Sequence, residues 1–321
     1  MKKTAEFVSP MHPDKICDFI ADNILDAYLE GDKDSRCAVE VMGGHNLITI
    51  NGEVRSKANP DIEKIVKSLV GDNFKIISNM VLQSPQIAQG VDNGGAGDQG
   101  IMKGYATNET AEFLPLEYVL ARSLCHYIYK QFPYDGKTQI TVKDGCIDTI
   151  VASFQNVPRN VLNEIVMDWF GKFGARSDKI FPFSIFINPA GDWTQGGFDA
   201  DTGLSGRKLI IDNYGPEITI GGGSFSGKDY TKVDRSGAYM ARKIAVDLLK
   251  RHKAKEVYTK LAYAIGRPKP VMAVSVIDGV ERDIVGYDLT PRGIYNHLKL
   301  DEVKFKDTSN WGHFGRDFTW E

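Results

Sequence analysis

The residues best equipped for chemistry lie between Gly221 and Ser236, in the run Gly-Gly-Gly-Ser-Phe-Ser-Gly-Lys-Asp-Tyr-Thr-Lys-Val-Asp-Arg-Ser. Three consecutive glycines let the backbone turn tightly and bring its N–H groups against a ligand. Lys228 and Lys232 stand four apart, interleaved with Asp229 and Asp234. A helix follows, with Ala238, Ala241, Ala245 and Leu248 on one face. Glycines, cations, carboxylates and a helix N-terminus together suit a polyphosphate carrying a metal ion. Gly222, Gly227 and Lys228 match a P-loop, but Asp229 replaces the hydroxyl that such a loop places on Mg²⁺, which argues against that fold.

The elements that must position these residues can be read from periodicity. Pro13 opens a helix to about Glu30 whose inward face is Ile16, Ile20 and Ile24. On this reading Asp18, Asp22 and Asp26 fall on the opposite face, as solvated surface. His12 and Asp14 sit where the chain enters the helix, and Asp14 reads equally well as a helix cap or as part of a site. A hairpin follows: Cys37–Met42, a Gly43-Gly44 turn, and Asn46–Ile50. Glu40 within it reads as outward-pointing, and an Asn51-Gly52 turn precedes Glu53. A short helix (Ile62–Val70) and a strand near Phe74–Ile77 complete the first third.

Residues Gln83 to Gly104 read as one long polar loop. It contains Gly95-Ala96-Gly97-Asp98-Gln99-Gly100, formally a dinucleotide fingerprint, but no helix follows it, so that reading is rejected. Helix, hairpin, helix then recurs. The second copy has a helix (Leu116–Phe132), an Asp144-Gly145 hairpin turn, a helix (Val161–Phe173) and a strand (Phe183–Asn188). The third has the helix after Ser236, strands near Val257–Ile265 and Val271–Ile277, an Asp278-Gly279 turn, a return strand to Tyr287 and a helix after Pro291. Arg207–Asp212 reads as a strand opened by two adjacent cations, Arg207 and Lys208. The recurrence predicts an α+β chain of three similar units, each a sheet with helices on one face. The boundaries fall at 1–92, 93–195 and 196–321.

The 321 residues suffice for several cores, and a net charge of −3 gives no overall pull toward nucleic acid or an anionic membrane. No apolar run reaches the roughly 20 residues that span a bilayer, and the start lacks the apolar core of a signal peptide. Cys17, Cys37, Cys125 and Cys146 show no metal or redox spacing and read as reduced thiols of a cytoplasmic protein. No serine–histidine–aspartate series or cysteine with an adjacent base is evident. A chemistry without a protein nucleophile fits better.

The chain resembles the S-adenosylmethionine synthetase family over its whole length. The likeness rests on His12-Pro13-Asp14-Lys15, Gly95–Gly100, Gly104–Thr110, Gly203-Leu204-Ser205-Gly206-Arg207-Lys208, Gly221–Ser236, Tyr263–Gly266 and His313-Phe314-Gly315-Arg316, in the family's order. It implies that methionine sulfur attacks C5′ of ATP, and that the expelled triphosphate is cleaved to pyrophosphate and phosphate. It implies Asp14 and Asp234 as ligands of two Mg²⁺ ions, and Glu40 at a K⁺ site, against the outward reading above. His12 is implied beside the ribose and the triphosphate bridge. Lys137, Arg207, Lys208, Lys228 and Lys232 are implied to neutralise the polyphosphate. Asp135, Asp201, Ser226 and Trp193 complete the ATP contacts. Asp98, Glu53, Gln83, Ile265 and Lys232 are implied on the methionine side. Homodimers with shared active sites, often paired into tetramers, are also implied. The chain departs from the family in a shorter loop over 83–97, in Gln86 for an acidic residue, in Trp193 for phenylalanine and in Met11 before His12. Two other readings are an ATP-dependent phosphotransferase or polyphosphate hydrolase, and a non-catalytic subunit of the same family.

Overall fold

The computed structural model describes residues 1–174 and 183–321. The first third contains β1 (Lys2–Val8), α1 (Pro13–Gly31), β2 (Arg36–Gly44), β3 (Leu47–Arg55), α2 (Ile62–Val70), β4 (Lys75–Leu82) and α3 (Pro85–Asp92). Then come β5 (Gly100–Thr107), α4 (Leu116–Tyr129), β6 (Gly136–Lys143), β7 (Cys146–Phe154), α5 (Arg159–Trp169) and β8 (Ser184–Ile187). The last third holds β9 (Gly203–Leu204), α6 (Leu209–Asp212), α7 (Val233–His252), β10 (Glu256–Tyr263), β11 (Met272–Ile277), β12 (Val280–Asp283) and α8 (Pro291–His297).

These strands form three four-stranded sheets, in the orders β4-β3-β2-β9, β1-β6-β7-β8 and β12-β11-β10-β5. Each sheet borrows one edge strand from another third of the chain. β1 pairs antiparallel with β6, β5 with β10, and β9 with β2. The loan is cyclic, so no third closes its sheet alone. α1 packs on β2, α4 on β1 and β6, and α7 on β5 and β10. Alternation along β10, with Val257, Thr259, Leu261 and Tyr263 buried, shows one face of the sheet turned to its helix. Ala238, Ala241, Ala245 and Leu248 form the buried face of α7, as their spacing predicts.

Several local expectations are corrected. The first hairpin turns at His45-Asn46, both at positive φ (50° and 63°), while Gly43-Gly44 ends β2. Two left-handed residues make the turn that suits a twisted hairpin. Asn51-Gly52 is no turn: it continues β3, where a Cβ on Gly52 would stand 2.2 Å from the Ala38 carbonyl oxygen. The 83–104 stretch contains α3 and the start of β5, with Pro85 at the helix start and Ser84 capping it. Residues 207–212 are a turn and the short α6, not a strand. Gly206 sits at φ +76°, and Lys208 is tied back to α1, so this backbone cannot run along a ladder.

The largest correction concerns α1. Asp18 and Asp22 are 3% and 0% exposed, and Asp26 is half-buried. A buried carboxylate must be hydrogen-bonded or paired, and each of these is. Asp18 accepts from Lys15 Nζ (3.0 Å) and from the Gly206 N–H (2.9 Å). Asp22 holds Arg235 through both carboxylate oxygens (2.7 and 2.8 Å). Asp26 accepts from the Phe305 and Lys306 N–H groups.

Candidate active site

The site is assembled along α1, where two loops from the last third of the chain meet the helix. His12 caps the helix by accepting from the Asp14 N–H (3.2 Å), which leaves Asp14 free for other work. Asp14 is 1% exposed. It accepts from the Leu204 N–H (2.9 Å) and pairs with Lys208, while Arg207 Nε lies 3.6 Å away. Burial acts to raise the Asp14 pKa, but Lys208, the Leu204 N–H and His12 outweigh it and hold the carboxyl below its usual range.

His12 is pushed the other way. Burial, then the charge of Lys208, lowers its pKa to about 4, against the opposing pull of Asp14. The ring is therefore neutral at physiological pH. Between about 4 and 6.5 the unfolded chain binds a proton at His12 that the folded chain refuses, so His12 costs stability as pH falls through that window. We expect His12→Asn, which keeps a good cap, to flatten the loss of Tm between pH 6.5 and 4.5 relative to wild type. Parallel thermal melts test this.

The second group lies on the glycine-rich loop. Lys228 Nζ pairs with Asp234 Oδ2 at 2.7 Å, both side chains being mostly covered. Lys232 pairs with Asp229, which is wholly buried and also accepts from the Cys37 N–H (2.7 Å) and the Thr231 N–H (2.8 Å). The lysines are thus partners of carboxylates, not a solvated helix face. Asp234 lies in the first turn of α7, where the helix dipole favours negative charge. Gly223 leaves room for it: a Cβ there would fall 2.1 Å from Asp234 Cγ.

Glu40 joins the two groups. It lies on β2 between Ala38, which bridges to Lys228, and Met42, which pairs with Leu204. Its carboxylate accepts from the Ser205 hydroxyl and, at 3.4 Å, from the Ser224 hydroxyl. It is exposed, and it faces the meeting of the two loops. Ser226 is buried in the same loop.

Lys137, Asp135 and Asp201 lie near His12 and Lys208. The charges of Lys137 and Asp201 both act on His12, and Asp201 and Lys208 act on Asp135. Asp135 accepts from the Gly197 N–H (2.9 Å), and burial raises its pKa. The Lys137 ammonium itself is half-exposed and paired with Glu6 (2.7 Å). Asp201 is exposed and accepts from the Thr202 N–H. Trp193 is half-buried, its carbonyl held by the Asn156 N–H. Glu53 is exposed and pairs across the ladder with Ala38, on the strand that bridges to Lys228. Gln83 is 7% exposed, and its Oε1 has no hydrogen-bond partner. Asp98 follows Gly97, whose N–H donates to the Thr231 carbonyl (3.3 Å). Ile265 is half-exposed beside Gly266, which donates to Ala96. A cleft of about 610 Å³ is walled by Gln99, Gly100, Gly221, Gly222 and Ala264, chain neighbours of Asp98 and Ile265 among them.

Sequence reasoning missed Asp18, Asp22, Asp229, Ser205 and Arg235 as supports of this centre. One signal was present: Asp14, Asp18, Asp22 and Asp26 recur every fourth residue, one stripe of a helix. Among the described residues no cluster of three or more His, Cys, Asp or Glu forms a ready-made metal cage. No helix there is long and apolar enough to cross a membrane.

Comparison with known proteins gives a consistent picture. The N-terminal, central and C-terminal domains of S-adenosylmethionine synthetase match residues 1–84, 93–193 and 195–321. A protein of Mycoplasmopsis synoviae named S-adenosylmethionine synthase is 40% identical over 370 residues, covering 100% of this chain and 95% of the relative. One of Pseudothermotoga lettingae with the same name is 40% identical over 380 residues, covering 99% and 95%. A solved structure described as an unusual S-adenosylmethionine synthetase from Campylobacter jejuni superposes with a TM-score of 0.88 at 32% identity, covering 99% of this chain and 96% of that one.

Proposed function

This chain belongs to the S-adenosylmethionine synthetase family, and from that premise we propose how its residues divide the work. The enzyme joins ATP and L-methionine, releasing S-adenosylmethionine, phosphate and diphosphate. A thioether sulfur carries no proton, so attack on C5′ needs alignment and charge neutralisation rather than a general base. Good alignment lowers such a barrier by roughly 7–11 kcal/mol. The observation that carries the assignment of roles is the convergence of Lys208–Asp14 and Lys228–Asp234 beside Glu40.

In this reading Arg207, Lys208, Lys228, Lys232 and Lys137 neutralise the triphosphate as it departs. Neutral His12 hydrogen-bonds the ribose and bridging oxygens. Asp135, Asp201, Ser226 and Trp193 hold the nucleotide. Asp98, Glu53, Gln83, Lys232 and Ile265 hold methionine; the unpartnered Gln83 Oε1, and a cleft lined by Gln99 and Ala264 next in sequence to Asp98 and Ile265, support that placement.

The family works with a divalent metal, which we take to be two Mg²⁺ ions, held by Asp14 and Asp234. The donor set fits: single carboxylates, with no protein cage among the described residues, suit a hard ion that draws its other ligands from phosphate and water. When bound, the ions screen the phosphate charge. Glu40 with the Ser205 and Ser224 hydroxyls offers the oxygens that K⁺ takes. We expect Gly223→Ala to push Asp234 aside and raise the metal concentration needed for half activity about tenfold. A Mg²⁺ titration of the rate measures this.

The working protein is a cytoplasmic homodimer with shared sites, and the chain divides at 1–92, 93–195 and 196–321. Support for assembly comes from exposed apolar residues on β4, Ile77, Val81 and Leu82, the last 76% exposed. We expect a dimer or larger species in sedimentation, and a fully active monomer overturns the shared site.

The overall test is an end-point reaction with ATP, Mg²⁺, K⁺ and methionine. Sulfonium product by mass spectrometry, with equal phosphate and diphosphate, is expected. Phosphate transfer without sulfonium product points to a phosphotransferase or hydrolase. Folded protein that binds ATP and forms neither points to a non-catalytic subunit.

A further inference from the structure

The two cation-bearing loops are built alike. One reads Ser205-Gly206-Arg207, the other Ser226-Gly227-Lys228. Both glycines are left-handed, at φ +76° and +80°. Both glycine N–H groups donate to an aspartate of α1: Gly206 to Asp18 (2.9 Å) and Gly227 to Asp22 (2.8 Å). Both turns are also fastened to β2. The Ser205 N–H donates to the Val41 carbonyl (2.9 Å), and the Gly227 carbonyl accepts from the Val39 N–H (3.1 Å). Each cation thus follows directly on a backbone clipped between the same helix and the same strand.

The two anchor points match in length. Asp18 and Asp22 are four residues apart on α1, about 6 Å along the axis. Val39 and Val41 are two residues apart on β2, about 6.6 Å along the strand. Both aspartates are reinforced from behind. Lys15 bridges Asp18 to the buried Asp212, and Arg235 grips Asp22 while donating to the Lys228 carbonyl (3.2 Å). Buried charges held this way have one geometry, because breaking either pair strands a charge away from water.

We propose that α1 and β2 act as a ruler: Asp18 and Asp22 are positioning residues that hold the two Ser-Gly-cation turns at a fixed separation, and this separation selects a chain of three phosphoryl groups over shorter or longer ones. The spacing exceeds one phosphoanhydride link and suits the outer groups of a triphosphate. Neither aspartate reaches the ligand. Their effect passes through the Gly206 and Gly227 N–H groups to Arg207 and Lys228. The inference rests on the polyphosphate reading of the site.

The test is calorimetric titration of the full-length protein, with Mg²⁺, using inorganic tripolyphosphate, pyrophosphate and tetrapolyphosphate. Wild type should bind tripolyphosphate most tightly. Asp18→Asn and Asp22→Asn should each weaken tripolyphosphate about tenfold, the worth of one charged hydrogen bond, while pyrophosphate changes by less than about twofold. A merely structural role would weaken all three chains together, and that result overturns the ruler. Asp22→Asn strands Arg235 and can unfold the protein. Asp18→Asn, in which Lys15 keeps Asp212, then decides. Unchanged selectivity in folded Asp18→Asn also overturns the proposal. Wild-type protein that binds no tripolyphosphate removes the site reading beneath it, a distinct failure.

Discussion

Replacing Asp14 by Asn is expected to lower kcat/KM for ATP by at least about 10³, because it acts on several electrostatic contacts, each worth about 10²–10³ when lost. The carboxylate is 1% exposed and is the common partner of Lys208 and Arg207. Asparagine still offers an oxygen to the Leu204 N–H, so the 203–208 loop keeps its backbone anchor. What it loses is the negative charge that orients Lys208 and, in the proposed mechanism, holds a metal ion. Stability should fall as well, since the change removes the carboxylate that Lys208 is paired with. The sign with pH follows from the lowered Asp14 pKa: its stabilisation is present above the ordinary value of 3.8 and is lost as pH falls through the depressed one. At neutral pH wild type should therefore melt higher than Asp14→Asn, and the gap should narrow in strong acid. Steady-state rates with melting curves test both parts. A variant with near wild-type kcat/KM removes Asp14 from the machinery.

Lys228→Ala is expected to lower turnover by about 10²–10³ with little change in Tm. Lys228 sits on a polar loop whose backbone is held independently of its side chain. The Gly227 N–H is bound to Asp22, the Lys228 carbonyl to Arg235, and the Gly227 carbonyl to Val39. The partner left behind, Asp234, stays in the first turn of α7, where the helix N-terminus tolerates its charge. The fold should survive while neutralisation of the departing triphosphate does not. Triphosphate cleavage and sulfonium formation should both slow, and Lys228→Arg should restore part of each. Near-normal rates for Lys228→Ala sink this role. A large drop in Tm would show that the lysine is structural.

Much of this protein was legible in its sequence. Apolar spacing located α1, α2, α4 and α7, because burying one helical face requires a repeat visible within a few turns. Asp144-Gly145 and Asp278-Gly279 marked hairpin turns, since left-handed backbone is a local demand, met here at φ 50° and 83° and at 46° and 84°. The concentration of cations and carboxylates in Gly221–Ser236 was likewise legible in residue types alone.

Only the tertiary structure decided the rest, and the reason is the same in each case: the deciding partner is distant in sequence. Asp22 looks solvated in sequence because aspartate usually is, and its partner Arg235 lies 213 residues away. Glu40 is exposed, as an outward strand position should be, but the Ser205 hydroxyl that it accepts from lies 165 residues away. The Arg207–Asp212 run has a strand's composition, yet Asp14 and Asp18 of α1 tie its start into a turn. The cyclic loan of β1, β5 and β9 has no local signature, because an edge strand reads the same whichever sheet receives it. Periodicity reports that a face must be buried. Which chemistry buries it is settled only when the three thirds close on one another.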